Sequence, residues 1–299
     1  KLIEIEYTKD VSSTKLSLNE KIIGTTPDIR KATLKRLINA KDITRIMEAH
    51  NPLSALILEN ISIAHEGKSK QFDGFWSSSL TDSTSQGKPD IEALEINNRL
   101  NNINNIFDVT TKPLIMDADT GGKIEHFELN VRSMERLGIS AVIIEDKKGL
   151  KKNSLLGNEV FQSQEEIGLF CEKINTAVRG KLTDDFMIIS RIESLIMEKG
   201  IDDALKRANA YVEAGSDGIM IHSRKNTPDE IFEFAKLFKK DHSNIPLVCV
   251  PTSFNKTKEE ELANNGFNII IYANHLLRAS YPAMRDVAKQ ILINQRSYE

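Results

Sequence analysis

Eight short runs of almost uninterrupted apolar residues, each closing on polar ones, recur along the 299 residues. They are "ITRIMEAHN", "FDGFWSSS", "PLIMDADT", "SAVIIEDK", "FMIISRIES", "DGIMIHS", "PLVCVPTS" and "NIIIYANH". Stretches with helical spacing lie between them, such as "HFELNVRSMERLG" and "GIDDALKRANAYVEAG". Gly138, Gly215 and Gly266 stand where helix C-termini are expected, and "TPDE" at 227–230 reads as an N-cap, a first-turn proline and a capping-box acid. Uninterrupted apolar runs suit strands buried on both faces. Eight of them alternating with helices predict a (β/α)8 barrel of TIM type, whose usual size of roughly 250 residues fits this chain. A doubly wound open sheet is the alternative, but it carries a glycine-rich phosphate turn after its first strand. Here "HNPLSALILEN" follows instead.

We assign the barrel to residues 30–299 and treat 1–29 as a leader or linker, because no clear period runs through them beyond "KLIEIEY". The barrel assignment opens on "DIRKATLKRLINA", an amphipathic helix with Ile29, Leu34, Leu37 and Ile38 on one face. The absence of an initial methionine reads as a sign of a piece of a longer polypeptide. "NNRLNNINN" (97–105) reads as a solvated helix face or loop.

Charge removes several classes of partner. Lys+Arg number 40 against 43 Asp+Glu, a net charge of −3, which gives no general attraction to nucleic acid or an anionic membrane. No apolar run approaches the roughly 20 residues of a membrane span. Two cysteines, Cys171 and Cys249, cannot build a disulfide framework and read as buried small hydrophobes. A reducing compartment, the cytoplasm, is the expectation.

Barrel chemistry collects at strand C-termini, so the residues that end each run matter most. In order these are His50 and Asn51; Trp76 to Ser79; Asp117 and Asp119; Glu145 and Asp146; Arg191 and Glu193; His222 and Ser223; Thr252 and Ser253; Asn274 and His275. Asp117 and Asp119 are two apart and face the same way if extended. With Glu145 they form a carboxylate set that repels itself unless a cation joins it. Hard oxygen donors with no cysteine nearby favour Mg2+ or Mn2+ over zinc. Arg191 and His222 would share that mouth and suit an anionic phosphoryl or carboxylate group. Taken singly, each has a bland reading: a helix cap, a satisfied core histidine, an arginine paired with Glu193. His65, His126 and His242 read as surface residues in helices or loops, and His50 and His275 as rim residues without an assigned role.

"EDKKGLKKNS", with "DADTGG", the Trp-Ser-Ser-Ser-Leu segment at 76–80 and "RIES…IMIHS", resembles the phosphoenolpyruvate mutases of the isocitrate lyase/phosphoenolpyruvate mutase superfamily, over roughly residues 44–295. The resemblance implies a barrel whose last helix is swapped between subunits, a homotetramer or dimer of dimers, and dependence on Mg2+ or Mn2+. It implies interconversion of phosphoenolpyruvate and phosphonopyruvate, a step of phosphonate biosynthesis. Asp117 matches an acid that touches the metal. Asp119 and Glu145 match acids that hold its waters, and Asp90 matches a further acid near the metal and phosphoryl group. Trp76, Ser78, Ser79 and Leu80 match the segment that cradles the substrate carboxylate and enolate oxygen. Lys151, Asn153 and Ser154 lie on a loop that closes over the site, and Arg191 and His222 match residues that grip the phosphoryl group. Catalytic roles are thereby implied for Asp90, Lys151, Asn153, Arg191 and His222.

Carbon–carbon lyases of the superfamily carry a catalytic cysteine in the matching loop. Here that place reads Lys151-Lys152-Asn153-Ser154-Leu155. Phosphonopyruvate hydrolases, the nearest alternative, have Thr where the mutases and this chain have Asn153. Two departures stand out: Ser79 replaces a common Gly, which narrows the pocket, and "DTGGKI" replaces "DTGYGN". Some relatives are fused to a nucleotidyltransferase domain, and a longer polypeptide would fit that arrangement.

Overall fold

The computed structural model describes residues 25–149, 151, 152, 154 and 161–297. Each apolar run is a strand: β1 (Thr44–Glu48), β4 (Gly74–Ser77), β5 (Leu114–Asp117), β6 (Ala141–Glu145), β7 (Met187–Ile192), β8 (Gly218–Ile221), β9 (Leu247–Cys249) and β10 (Phe267–Tyr272). They pair in parallel and close in the order β1-β10-β9-β8-β7-β6-β5-β4, a (β/α)8 barrel. Two strands that the pattern did not announce, β2 (Ser62–His65) and β3 (Lys68–Gln71), form a separate antiparallel hairpin ahead of β4. His65 therefore lies on a strand, and it is exposed as expected.

Alternation along the strands sorts side chains into two cores. Ile46, Trp76, Ile115, Ala141, Ile143, Met187, Ile189, Met220, Val248, Ile269 and Ile271 fill the barrel interior. Their neighbours, such as Met116, Val142, Ile144, Ile188, Ile221 and Ile270, face the helices. Gly74 is held small, since a Cβ there would come within 2.6 Å of the Pro113 carbonyl oxygen.

Helix α1 (Pro27–Ala40) closes the end of the barrel opposite the strand C-termini. Its Leu34 joins the interior core with no exposure. Arg30, also on α1, donates to the carbonyl oxygens of Lys112 (2.7 Å), Phe107 (3.3 Å) and Thr110, and lies 4.0 Å over the Phe107 ring. Lys31 pairs with Glu135 at 3.2 Å.

The outer helices are α2 (Pro52–Asn60), α3 (Ser79–Ser85), α4 (Ile96–Phe107), α5 (Ile124–Leu137), α6 (Ile167–Gly180), α7 (Gly200–Glu213), α8 (Asp229–Asp241) and α9 (Glu259–Asn264). Gly138, with φ 106°, is the left-handed C-cap of α5. Helix α8 begins at Asp229, because Thr227 bonds the Asp229 carboxylate and Glu230 is taken by Ser223 and Lys225. The capping box read in "TPDE" therefore does not form. Cys249 is buried in β9 as read, whereas Cys171 is only half-buried on α6.

The last helix, α10 (His275–Asn294), buries none of its residues and exposes Tyr281, Met284, Leu292 and Ile293. Beside it, a cavity of about 1360 Å³ opens on the flank formed by β1, β10 and α9. Among the described residues no helix is long and apolar enough to cross a membrane.

Candidate active site

Strand alternation decides which polar residues reach the mouth. Ile115 points inward, so Asp117 does; Ala141 and Ile143 point inward, so Glu145 does; Met187 and Ile189 carry the phase to Arg191 and Glu193, and Met220 to His222. Asp146 is out of phase with Glu145 and buries itself behind the sheet. There its carboxylate accepts from the Glu193 amide (3.0 Å), Gln164 (2.9 Å) and the Tyr211 hydroxyl (2.9 Å), with Arg207 at 3.4 Å. Adjacent carboxylates thus have different tasks, one in the mouth and one fixing the backbone of β7's end.

One wall of the mouth is acidic. Asp117 accepts from the Asp119 amide (3.0 Å) and from the Ser79 hydroxyl (2.9 Å). Asp119 takes a left-handed φ of 57°, followed by Gly121 at 79° and Gly122 at 67°, and this turn folds it back beside Asp117. The ammonium of Lys151 lies among these acids. Its Nζ is 2.9 Å from Asp117 Oδ2, 2.8 Å from Asp119 Oδ1 and 3.8 Å from Asp90 Oδ1, and it donates to Ser79 Oγ.

Arg99 of α4 supports this wall from below. It is buried, donating through Nε to Asp82 (2.9 Å) and through Nη2 to the Ser77 carbonyl oxygen (3.1 Å), while Nη1 bonds the Asp117 carbonyl and lies 3.4 Å from Asp119. The "NNRLNNINN" patch is therefore not simply a solvated face. Arg99 is in phase with the buried Ile103 and Ile106, a spacing that could have revealed it.

The opposite wall is a basic cluster around Glu193. Arg191 Nε donates to Glu193 (2.6 Å), and Arg191 Nη2 reaches Ser154 Oγ (2.7 Å) and His222 Nδ1 (2.8 Å). Nδ1 also lies 3.1 Å from Glu193 Oε1, a contact it could make only as a donor. A guanidinium cannot accept, and it is the nearer partner, so we assign Nδ1 as acceptor and the proton to Nε2. Lys147 bonds Ser154 Oγ at 2.6 Å and lies 3.3 Å from Glu193. Ser154 in turn donates to Glu193 at 2.6 Å.

Burial and neighbouring charge set the protonation. Burial pushes Glu145 up to about 7, although Arg191, Lys147 and Lys151 oppose the rise. Burial likewise raises Asp90 against the pull of Lys151. For Asp117 the ordering reverses: burial would raise it, but Lys151, Arg191 and Arg99 together hold it well below the usual carboxylate range. Burial and the nearby Arg191 lower His222, which keeps the imidazole neutral in agreement with its role as acceptor.

Between the walls lies a cavity of about 90 Å³ lined by Trp76, Ser78, Leu80, Asp90, Asp117, Lys151, Ser154, Arg191 and His222, among others. Of the residues singled out in the sequence, Trp76, Ser78, Leu80, Asp90, Asp117, Lys151, Ser154, Arg191 and His222 line it, Ser79 bonds Asp117, and Asp119 and Glu145 lie behind the acidic face. Asn153 lies outside the described residues. His50 instead bonds buried Glu48 at 2.6 Å, whose other oxygen accepts from the first amides of α10. The charged residues that line the larger flank cavity include Arg45 and Glu259, paired at 2.6 Å, whereas the mouth holds its acids and bases buried at strand C-termini, where barrel chemistry collects.

Does the acidic wall fit a metal? Among the described residues no three His, Cys, Asp or Glu side chains stand as a ready ligand group. However, Asp90 Oδ1, Asp119 Oδ1 and both Glu145 oxygens are buried without a hydrogen bond, an arrangement that costs free energy unless a cation answers it. Asp119 Oδ1 is near Lys151 but not aligned with it. The donor set is entirely hard oxygen and suits a divalent cation of the Mg2+ type.

A (β/α)8 barrel that gathers buried carboxylates on one side of its mouth and an Arg–His pair on the other is an enzyme scaffold shaped for a small, strongly anionic substrate. The chain belongs to the phosphoenolpyruvate phosphomutase family, whose model matches residues 34–292. It is 35% identical over 264 residues to a phosphoenolpyruvate phosphomutase of Tetrahymena pyriformis, covering 88% of this chain and 84% of the relative. The crystal structure of a phosphoenolpyruvate phosphomutase from Streptomyces platensis subsp. rosaceus superposes with a TM-score of 0.81 at 36% identity, covering 89% of this chain and 88% of that one. A phosphonopyruvate hydrolase solved with oxalate and Mg2+ superposes with a TM-score of 0.77 at 33% identity, covering 91% and 88%.

Proposed function

We propose that this enzyme is a divalent-cation-dependent phosphoenolpyruvate mutase that interconverts phosphoenolpyruvate and phosphonopyruvate. The observation that carries the reading is the opposition of the two walls. Buried carboxylate oxygens of Asp90, Asp119 and Glu145 without a hydrogen bond gather on one side of a small cavity that Asp90 and Asp117 line, and Arg191, His222 and Ser154 line its other side. Asp117, Asp119, Glu145 and Asp90 would hold Mg2+ or Mn2+. Bound there, the cation would supply positive charge to the oxygen of a pyruvate enolate.

The reaction breaks the ester O–P bond and forms a C–P bond at carbon three, with no net gain or loss of atoms. A loosely held phosphoryl group needs positioning and neutralisation more than covalent help. Arg191 offers a planar fork of donors and His222 its Nε2–H, while Ser154, which accepts from Arg191 and Lys147 and donates to Glu193, holds the fork in place. Amides in the first turn of α3, at Ser79 and Leu80, have no intrahelical acceptor and are free for the substrate's carboxylate and enolate oxygen. Trp76 and Leu80 give the cavity apolar cover, which favours keeping water from the phosphoryl group. Asn153 completes the set by resemblance alone.

Phosphonopyruvate hydrolysis is the second reading, favoured by the 33% identity to the hydrolase structure beside 36% to the mutase. Asn153, where hydrolases have Thr, favours the mutase. Phosphorus NMR on phosphonopyruvate with Mg2+ separates them. We expect the C–P signal to give way to that of an enol phosphate; inorganic phosphate as the first product would make the enzyme a hydrolase.

The unburied α10 and the open flank beside β1 and β10 support a homotetramer in which that helix seats on another copy. A place in phosphonate biosynthesis, a fused nucleotidyltransferase domain and a cytoplasmic location complete the proposal.

A further inference from the structure

The ammonium of Lys151 sits where the acids converge. It is 4% exposed and within 2.9 Å of Asp117, 2.8 Å of Asp119 and 3.8 Å of Asp90. An ammonium has three donors in a fixed tetrahedral fan. Two are directed at Ser79 Oγ and Asp117 Oδ2. Among the described residues, Asp119 Oδ1, Asp90 Oδ1 and both oxygens of Glu145 have no hydrogen bond, and charge alone meets them: Lys151 for Asp119 and Asp90, Arg191 at 3.4 Å and Lys147 at 3.6 Å for Glu145. The Lys151 ammonium thus occupies a seat with more oxygen donors than it can bond, even with Arg99 3.4 Å from Asp119 and Arg191 3.4 Å from Glu145. A divalent cation taking six or more oxygens could use them all. Two cations cannot share these oxygens at such distances without strong mutual repulsion.

We propose that Lys151 is the internal counter-ion of the acidic wall and that a divalent cation enters by displacing its ammonium. The proposal rests on the metal-site reading above. Displacement has a consequence for the opposite wall. Lys151, Arg191 and His222 line the same small cavity, so an ammonium released from Asp117 and Asp119 becomes a further donor for the substrate's anionic group. Cation binding thereby raises the affinity of the pocket for an anion, and the cation binds first. The competition also weakens the enzyme's hold on the metal. An ammonium seated for nine-tenths of the time lowers apparent metal affinity ~10-fold, because affinity scales with the competent fraction.

The test uses the full chain without substrate. Mn2+ binding is titrated by electron paramagnetic resonance for the wild type and for Lys151→Met, which keeps the chain length and removes the charge. We expect the variant to bind Mn2+ about 10-fold more tightly. A second measurement needs no variant: reductive methylation of the wild type, read by mass spectrometry of the peptide holding Lys151. We expect Lys151 to resist modification alone and to react severalfold faster once Mn2+ is added. Equal or weaker Mn2+ binding by Lys151→Met, or methylation unchanged by Mn2+, overturns the competition and leaves the metal site standing. Failure of both proteins to bind Mn2+ overturns the metal-site reading itself.

Discussion

Glu145 shows how one strand position sets a chemical property. It is 1% exposed, its carboxylate has no hydrogen bond among the described residues, and it meets Arg191 at 3.4 Å and Lys147 at 3.6 Å. Its carboxyl is raised by burial to about 7, above the unfolded value. The folded state therefore holds a proton that the unfolded chain releases from about pH 4.3 upward. The stability this provides is complete at lower pH and is lost as pH rises through about 7. Glu145→Gln keeps the shape and removes the titration. Without added metal, the variant should gain stability relative to the wild type between pH 5 and 8, by up to about 3 kcal/mol. Parallel urea melts check this, and a difference that stays flat across that range would mean Glu145 is already ionised at pH 5. Arg99 makes a related point. It is an interior cation on a helix, and it fixes the Asp117 carbonyl and Asp82 rather than any substrate atom.

At the level of elements, α1 is a plug. Leu34 seals the interior core, and Arg30 ties the helix to the carbonyl oxygens that precede β5. Leu34→Ala should cost about 2–5 kcal/mol through lost burial and the cavity left behind. Because the plug lies at the far end from the mouth, metal binding at temperatures where the variant stays folded should be unchanged. Thermal melts and Mn2+ titration together test that separation; weakened metal binding in the folded variant would couple the plug to the site. Most of this architecture was legible in the residues. All eight barrel strands follow from apolar runs, and the inward phase of Ala141 and Ile143 separates Glu145 from Asp146. The hairpin β2–β3 was not legible, because its strands are polar and exposed and carry no burial pattern. Arg99 escaped because the asparagines around it hide a buried stripe with Ile103 and Ile106. The position of Lys151 among the acids depends on contacts across 34 residues of chain, which no local spacing encodes.

For the molecule as a whole, α10 is the element out of place. A twenty-residue helix that buries nothing lies beside a barrel flank that no described helix covers, and apolar side chains stand on both, Met284 and Leu292 on the helix and Ile61, Ile63 and Phe72 on the flank. Docking on a second copy would remove both from water. Light scattering should find an oligomer, consistent with a tetramer, and the pair Met284→Glu and Leu292→Glu should shift it to smaller species while circular dichroism keeps the barrel signal. A monomeric wild type would contradict the exchange. Diffraction from crystals soaked with Mn2+ and oxalate tests the acidic wall most directly, since manganese is located by its anomalous signal. We expect one strong peak against Asp117, with Asp119, Glu145 and Asp90 around it and the Lys151 ammonium moved away. A map with no ion at those acids, and Lys151 still seated among them, would contradict the assignment of this mouth as a divalent-cation site.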